Sequence, residues 1–215
     1  MENKNPYAPE LAERLLQINA IKLNVRNPFT WASGLRAPIY CDNRRILSFP
    51  EVRSWVADRF VDAIHEHYRD AELIAGVATG AIAIGVLVAG KMDLPFVYVR
   101  SKPKSHGLES QIEGYAPAGK KTVIIEDLVS TAKSSLAAFH ALKGKKLSIL
   151  GMASIFSYDL DIAEKNLAEA GCRLVSLGNY DTLLETAIHK NIINQDELHE
   201  LKQWRKDPEN WYHAQ

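Results

Sequence analysis

The stretch that decides the fold spans residues 123–135 and reads VIIEDLVSTAKSS. Three β-branched residues precede two adjacent carboxylates, Glu126 and Asp127, and small hydroxyl residues follow them. A continuous apolar run of this kind is typical of a strand that is buried on both faces of a parallel sheet. We therefore predict a buried strand that ends at the two acids, followed by a short turn into a helix.

On both sides of this stretch, short apolar strands alternate with segments of helical periodicity. The predicted strands are 72–77, 95–99, 121–125, 147–156 and 173–177. The predicted helices are 9–21, 50–68, 82–91, 134–142, 162–170, 182–189 and 196–204, and residues 29–40 suggest an aromatic strand pair. This alternation predicts an α/β fold, a mostly parallel twisted sheet flanked by helices. We expect one domain over residues 1–215, with residues 1–45 as an N-terminal helix and small hood.

The composition limits the class of protein. Lys and Arg (26) equal Asp and Glu (26) in number, so no net positive field attracts nucleic acid or an anionic membrane. The two cysteines, Cys41 and Cys172, are expected to be free thiols in a reducing compartment. The uncharged segment 73–90 contains four glycines, which favour a strand, a turn and a helix over a membrane span. We predict a soluble, cytoplasmic protein that binds neither nucleic acid nor membranes.

Residues 100–119 differ from their surroundings. They follow a predicted strand, lack apolar periodicity, and carry Arg100, Lys104 and His106 in their basic first half. A loop of this length inside a compact domain is usually a functional lid or a disordered segment. We predict a mobile lid that closes over an anionic ligand, in preference to a plain solvated loop.

The turn after the two acids predicts an anion site. Residues 130–134 offer hydroxyls and backbone N–H groups at a helix N-terminus, where phosphate binds readily. Adjacent carboxylates would repel a bare phosphate, but they suit a ligand that also presents hydroxyls or carries a divalent cation, as a sugar phosphate does. The structural alternative is that Ser130 or Thr131 caps the helix while Asp127 favours its dipole.

Residues 123–135 resemble the 13-residue phosphoribosyl pyrophosphate signature of type I phosphoribosyltransferases. Two further segments narrow the resemblance to the orotate-specific members. RSKPKSHG (100–107) resembles their mobile catalytic loop, and SGLRAPIY (33–40) is similar to their orotate-site segment. The resemblance extends from about residue 18 to about residue 183. It departs from the pattern at Ala132 and Lys133, where many members have glycine, and at Ser101 and Gly80, where some members have lysine. It departs also near Tyr158, where some relatives direct an arginine at orotate.

The resemblance implies that a 5-phosphoribosyl group passes from phosphoribosyl pyrophosphate to orotate, giving orotidine 5′-monophosphate in pyrimidine (UMP) biosynthesis. It implies catalytic roles for Lys104, His106 and Asp127. Binding of the sugar pyrophosphate is implied for Arg100, Lys104, His106, Glu126, Asp127, Leu128, Val129, Ser130, Thr131, Ala132, Lys133 and Ser134. Orotate binding is implied for Tyr40 and Ser130, although Tyr40 is equally well explained as a core aromatic. Mg²⁺ would be the cofactor, held mainly by substrate and water without direct protein ligands, and the lid would be shared across the subunits of a homodimer.

Three alternatives stay open on the sequence. A phosphoribosyltransferase for a purine base would share the paired acids, but it would differ in the lid and the hood. A regulator that senses the sugar pyrophosphate and binds nucleic acid would normally carry an added basic element. A catalytically inactive interaction protein is the third.

Overall fold

The computed structural model describes residues 5–31, 34–101 and 111–214. The helices of this part of the chain are α1 (Ala8–Gln17), α2 (Pro50–His67), α3 (Gly80–Met92), α4 (Lys133–Gly144), α5 (Asp161–Ala170), α6 (Tyr180–His189) and α7 (Gln195–Lys206). The strands are β1 (Ile21–Leu23), β2 (Phe29–Thr30), β3 (Arg36–Ala37), β4 (Ile39–Cys41), β5 (Leu73–Val77), β6 (Phe96–Val99), β7 (Ile112–Glu113), β8 (Lys121–Val129), β9 (Ser148–Ser157) and β10 (Leu174–Asn179). Short 3₁₀ helices cover Asn43–Ser48 and Trp211–Ala214.

The central sheet has six strands in the order β10-β9-β8-β5-β6-β7. All neighbouring pairs are parallel except β6 and β7, which are antiparallel. The chain leaves β5 towards β6 and then returns to the other side of β5 to form β8. The strand order therefore reverses between β5 and β8, and in open α/β sheets ligands bind at such a switch point, beyond the carboxyl ends of the strands.

Helices cover both faces of this sheet. One buried cluster packs side chains of α1, α2, α3, α6 and α7 against the sheet, and a second packs α4 and α5 against the opposite face. Every residue of β5 is buried, which explains why this strand reads as a continuous apolar run. The predicted fold class, a mostly parallel sheet flanked by helices with an N-terminal hood, is confirmed.

Strand β8 is longer than the sequence indicates. The predicted strand ends at Ile125, but β8 continues to Val129 because β9 pairs with it as far as the Val129–Ser157 pair. On its other side, β8 loses its partner earlier, since the last pair with β5 joins Ile125 to Gly76. The prediction that the strand ends at the two acids was wrong. Glu126 and Asp127 lie inside the strand, in the part of β8 that pairs with β9 but no longer with β5.

Two small antiparallel sheets form the hood. Strand β2 pairs with β3, as the aromatic pattern over residues 29–40 predicts, and β1 pairs with β4, which the sequence did not indicate. The C-terminal part of the chain supports the hood, because the buried Trp204 of α7 packs edge-on against Trp31, at a centroid distance of 5.7 Å.

The uncharged segment 73–90 forms β5 and most of α3 rather than one long helix. None of the helices in the described ranges is long and apolar enough to cross a membrane.

The segment predicted as a lid begins at a β-hairpin. Strand β7 lies within residues 100–119 and pairs with β6, and the Arg100 backbone N–H donates to the Gln111 carbonyl oxygen at 2.8 Å. Arg100 and Gln111 therefore lie side by side. Lys104 and His106 lie outside the described residues.

Candidate active site

The two carboxylates of β8 point in different directions, as successive strand residues must. Glu126 is only 4% exposed, and its carboxylate accepts hydrogen bonds from the Ser135 hydroxyl at 2.7 Å and from the Asp127 backbone N–H at 3.0 Å. Asp127 is partly exposed in the crevice between β5 and β8. The structure therefore buries Glu126 and leaves Asp127 partly accessible to solvent.

Burial raises the pKa of Glu126 to about 8, and the neighbouring Asp127 charge adds to the effect. The hydrogen bond from Ser135 acts in the opposite direction but is outweighed. Glu126 is therefore mainly protonated at neutral pH in the unliganded protein. Asp127 is the acid of the pair that faces the crevice.

The raised pKa of Glu126 predicts a pH-dependent stability. The ordinary pKa of a glutamate is 4.5, and in the folded protein that of Glu126 is raised to about 8. The protonated carboxyl therefore contributes its full stabilisation of the fold below pH 4.5, and this stabilisation is lost as the pH rises through about 8. Between pH 5 and pH 9, the free energy of unfolding of the wild type should therefore fall relative to Glu126→Gln by roughly 3–5 kcal/mol. Urea denaturation at several pH values measures this difference, with the exposed Glu209→Gln as control. A difference that stays constant with pH would contradict the prediction.

Gly80 gives Asp127 its space. It is the first residue of α3, after the cis peptide bond between Ala78 and Thr79. A Cβ atom built on Gly80 would overlap the carboxylate of Asp127. At this close approach of the α3 backbone to β8, a side chain at position 80 would displace the Asp127 carboxylate from its observed position. No local pattern in the sequence indicates this role, because the two residues meet only through the strand order.

Asn43 joins the hood to the central sheet. Its side chain is 1% exposed, and its Nδ2 donates to the Asp127 carbonyl oxygen at 2.6 Å. Its Oδ1 accepts from the Cys41 thiol at 3.4 Å. The contact fixes the end of the hood against the strand that carries Asp127. Sequence reasoning missed Asn43, which no local pattern distinguishes from a surface residue.

The turn after β8 leaves the N-terminus of α4 open. Helix α4 begins at Lys133 after Ala132, whose left-handed backbone (φ 61°) precedes the first turn, and no side chain caps it. The capping alternative for Ser130 and Thr131 was therefore wrong. Asn166 of α5 donates to the Thr131 carbonyl oxygen at 2.9 Å and holds the turn in place. Uncapped N–H groups at a helix start form an anion site.

The remaining predicted residues of this stretch divide into two groups. Val129 is fully buried at the end of β8, whereas Lys133 and Ser134 are exposed on the first turn of α4. Val129 therefore contributes through the backbone position of the turn. Lys133 and Ser134 present their side chains to solvent.

A cleft of about 390 Å³ opens beside this turn. It is lined by Thr30, Trp31, Tyr40, Cys41, Leu128, Ser130 and Tyr158. Tyr40 and Ser130, the predicted orotate pair, are thus brought together, and Tyr40 is 38% exposed, so its interpretation as a core aromatic was wrong. Trp31 stacks on Tyr158 with ring centroids 5.4 Å apart and forms one wall. Aromatic walls with a few polar groups suit a flat heterocycle.

Cys41 adds a neutral thiol to the cleft. Burial raises the pKa of Cys41 well above its ordinary value, and the negative charges of Asp127 and Asp42 act in the same direction. Both cysteines are free thiols, as predicted.

Arg100 lies at the base of the predicted lid. Its Nη1 is 3.5 Å from Glu113 Oε1, so the guanidinium is paired across the hairpin. Arg100 is thus the one basic residue of the predicted pyrophosphate grip that lies within the described residues. The roles of Lys104 and His106, which lie outside them, remain predictions.

Comparison with known proteins identifies the family. The family described as "Phosphoribosyl transferase domain" matches residues 49–171. The protein named "Orotate phosphoribosyltransferase" of Cytophaga hutchinsonii is 49% identical over 205 residues, which cover 95% of this chain and 98% of that protein. The chain belongs to the orotate phosphoribosyltransferases. The orotate phosphoribosyltransferase of Porphyromonas gingivalis is 48% identical over 201 residues, which cover 94% of this chain and 96% of that protein.

Solved structures of the family share the fold. The orotate phosphoribosyltransferase of Aeropyrum pernix is 29% identical, with a TM-score of 0.72 over 81% of this chain and 96% of that chain. The UMP synthase of Leishmania donovani is 26% identical, with a TM-score of 0.77 over 92% of this chain. This chain spans 42% of that longer protein.

Proposed function

We propose that this protein transfers the 5-phosphoribosyl group of phosphoribosyl pyrophosphate to orotate, giving orotidine 5′-monophosphate and pyrophosphate for UMP synthesis. The observation that carries the proposal is the convergence of three features at the β5–β8 switch point. These are the crevice carboxylate Asp127, the uncapped start of α4, and the aromatic cleft that contains Tyr40. Sugar, phosphate and base would occupy these three places in one continuous site.

The sugar would bind against β8. Asp127 accepts hydrogen bonds from ribose hydroxyls, and its negative charge favours the positive charge that develops on the ribose ring as pyrophosphate leaves. Asn43 and Gly80 fix the position of Asp127 from two sides. Glu126 lies beneath the site, near-neutral and hydrogen-bonded to Ser135, so it supports the strand without repelling the phosphate.

The 5′-phosphate would bind at the turn formed by residues 130–134. The first N–H groups of α4 and the hydroxyls of Ser130, Thr131 and Ser134 are suitable donors. Ala132 in its left-handed conformation exposes the backbone of the turn without a bulky side chain. The Asn166 hydrogen bond occupies the Thr131 carbonyl oxygen, so that acceptor is kept away from the anion.

Orotate would bind in the aromatic cleft. Tyr40 provides a ring face for stacking, and the Ser130 hydroxyl provides a hydrogen bond beside the phosphate turn. Trp31 and Tyr158 stack on each other behind it and keep the wall rigid. The ring nitrogen of orotate would then lie close to C1 of the ribose, the arrangement that displacement requires.

Pyrophosphate would be held by the lid. Arg100, Lys104 and His106 supply the positive charge that neutralises the leaving group, and closure of residues 100–119 excludes water. Mg²⁺ would be held mainly by substrate and water oxygens. Mg²⁺ bound in this way would neutralise the pyrophosphate oxygens.

We also propose one domain with a hood, a homodimer that shares its lids, and a cytoplasmic location.

The proposed reaction is tested by the loss of orotate ultraviolet absorbance in the presence of phosphoribosyl pyrophosphate and Mg²⁺. We expect turnover in the wild type, a decrease of about 10²–10³-fold in kcat for Lys104→Ala, and unchanged turnover for the exposed Lys145→Ala control. Release of pyrophosphate with a purine base, but not with orotate, would identify a purine enzyme instead. Binding of the sugar pyrophosphate without turnover of any base would support the regulator.

A further inference from the structure

The described residues that line the base cleft carry no positive charge. Among its described lining residues are two hydroxyls, three aromatic side chains, one thiol and one leucine. The proposed base is an anion, and a carboxylate that enters such a cleft needs a charged partner to offset its lost hydration. We propose that Arg36 is this partner, and that it sets the preference of the site for a base that carries a carboxylate. This inference rests on the proposed function.

Arg36 is placed on the cleft by its strand. In the antiparallel pair of β2 and β3, Arg36 lies directly opposite Thr30, so the two side chains project from the same face. The Nη1 atom of Arg36 donates to the Thr30 hydroxyl at 3.3 Å. Thr30 lines the cleft, so the guanidinium contacts a residue of the cleft wall.

The guanidinium of Arg36 is not neutralised by the described part of the chain. Its Nε is shielded from solvent and has no hydrogen-bond partner there, and no described acidic side chain forms a salt bridge with it. Arg44, by contrast, is already paired with Asp42 through two contacts of 2.6 and 3.0 Å. A buried N–H without a partner is costly, and a planar carboxylate is the ligand that satisfies a guanidinium edge best.

The C-terminal 3₁₀ helix braces Arg36 without cancelling its charge. The guanidinium carbon lies 4.8 Å from the centre of the Tyr212 ring, within the range of a cation–π contact. The neighbouring Trp211 is buried and donates to Glu200 of α7 at 3.3 Å, which anchors this part of the chain. The side chain of Arg36 is thus held between Thr30 and Tyr212, and its charge remains available to a ligand.

The test compares two nucleotides that differ only in the carboxylate of the base. Orotidine 5′-monophosphate carries it and uridine 5′-monophosphate does not, and isothermal titration of the full chain measures both dissociation constants. We expect the wild type to prefer the carboxylated nucleotide by about 10–100-fold. Arg36→Gln should abolish this preference while binding of uridine 5′-monophosphate stays within about twofold. Arg36→Lys should keep part of the preference, and the exposed Arg26→Gln in the same hood should keep all of it.

The outcomes distinguish a failure of the role proposed for Arg36 from a failure of the proposed reaction. If wild-type protein turns over orotate and Arg36→Gln retains the full preference, the role of Arg36 is refuted and the proposed function stands. If wild-type protein turns over no orotate, the proposed function itself fails. Should Arg36→Gln fold poorly, Arg36→Met removes the charge and keeps an aliphatic stem of similar length. An undiminished preference in that variant would equally overturn the inference.

Discussion

Asp127→Asn is expected to lower kcat/KM for orotate by about 10²–10³-fold while the protein stays folded. The substitution keeps the size of the side chain and leaves the backbone carbonyl that Asn43 binds unchanged. It removes the negative charge that, in the proposed mechanism, faces the developing positive charge on the ribose. Because burial raises the pKa of Glu126, the neighbouring acid is a poor replacement at neutral pH.

The measurement is the initial rate of orotate consumption over a range of both substrates, with thermal unfolding as the test of folding. Asp196→Asn, on the exposed first turn of α7, is the matched control and should behave as the wild type. A decrease of less than about threefold for Asp127→Asn would remove Asp127 from the proposed mechanism.

Gly80→Ala is expected to lower kcat/KM by about 10²-fold, since the added Cβ forces the Asp127 carboxylate out of its position and small displacements in a site have effects of this size. Gly90→Ala, in the same helix, adds a Cβ that meets nothing within 4 Å. This control should keep full activity and gain about 0.5–1 kcal/mol of stability, because alanine is the better helix former.

A double-mutant cycle sharpens the test of this contact. If Gly80→Ala acts by displacing Asp127, then adding it to Asp127→Asn should lower kcat/KM much less than it does in the wild type. The rates of the wild type, both single variants and the double variant give the coupling. Fully additive effects would show that Gly80 influences the reaction by another route.

Local patterns were sufficient for much of this protein. The buried strand at Ile124 and the helix that follows Lys133 were predicted because apolar runs and helical periodicity are properties of neighbouring residues. The hydroxyl-rich turn was recognisable for the same reason. The boundaries of β8 were not, since its last four residues owe their strand geometry to pairing with β9.

The capping alternative shows the limit of such patterns. A hydroxyl before a helix usually caps it, yet Ala132 occupies the position before α4 and no side-chain hydrogen bond is made. Whether a hydroxyl caps α4 depends on the left-handed backbone at Ala132 and on the contact that Asn166 of α5 makes with the turn. Neither is visible in residues 130–134 alone.

The sequence by itself determined the α/β class, the place of the hydroxyl-rich turn, and the family to which the signature and hood segments belong. These depend on short-range order, which one stretch of chain carries. Only the tertiary structure decided that Gly80 faces Asp127, that Asn43 ties the hood to β8, and that Arg36 donates to Thr30, a residue of the cleft wall. Such contacts arise from the order in which strands assemble into the sheet and from the packing of the hood on its edge. Residues that are distant in sequence meet there, and no local periodicity records it.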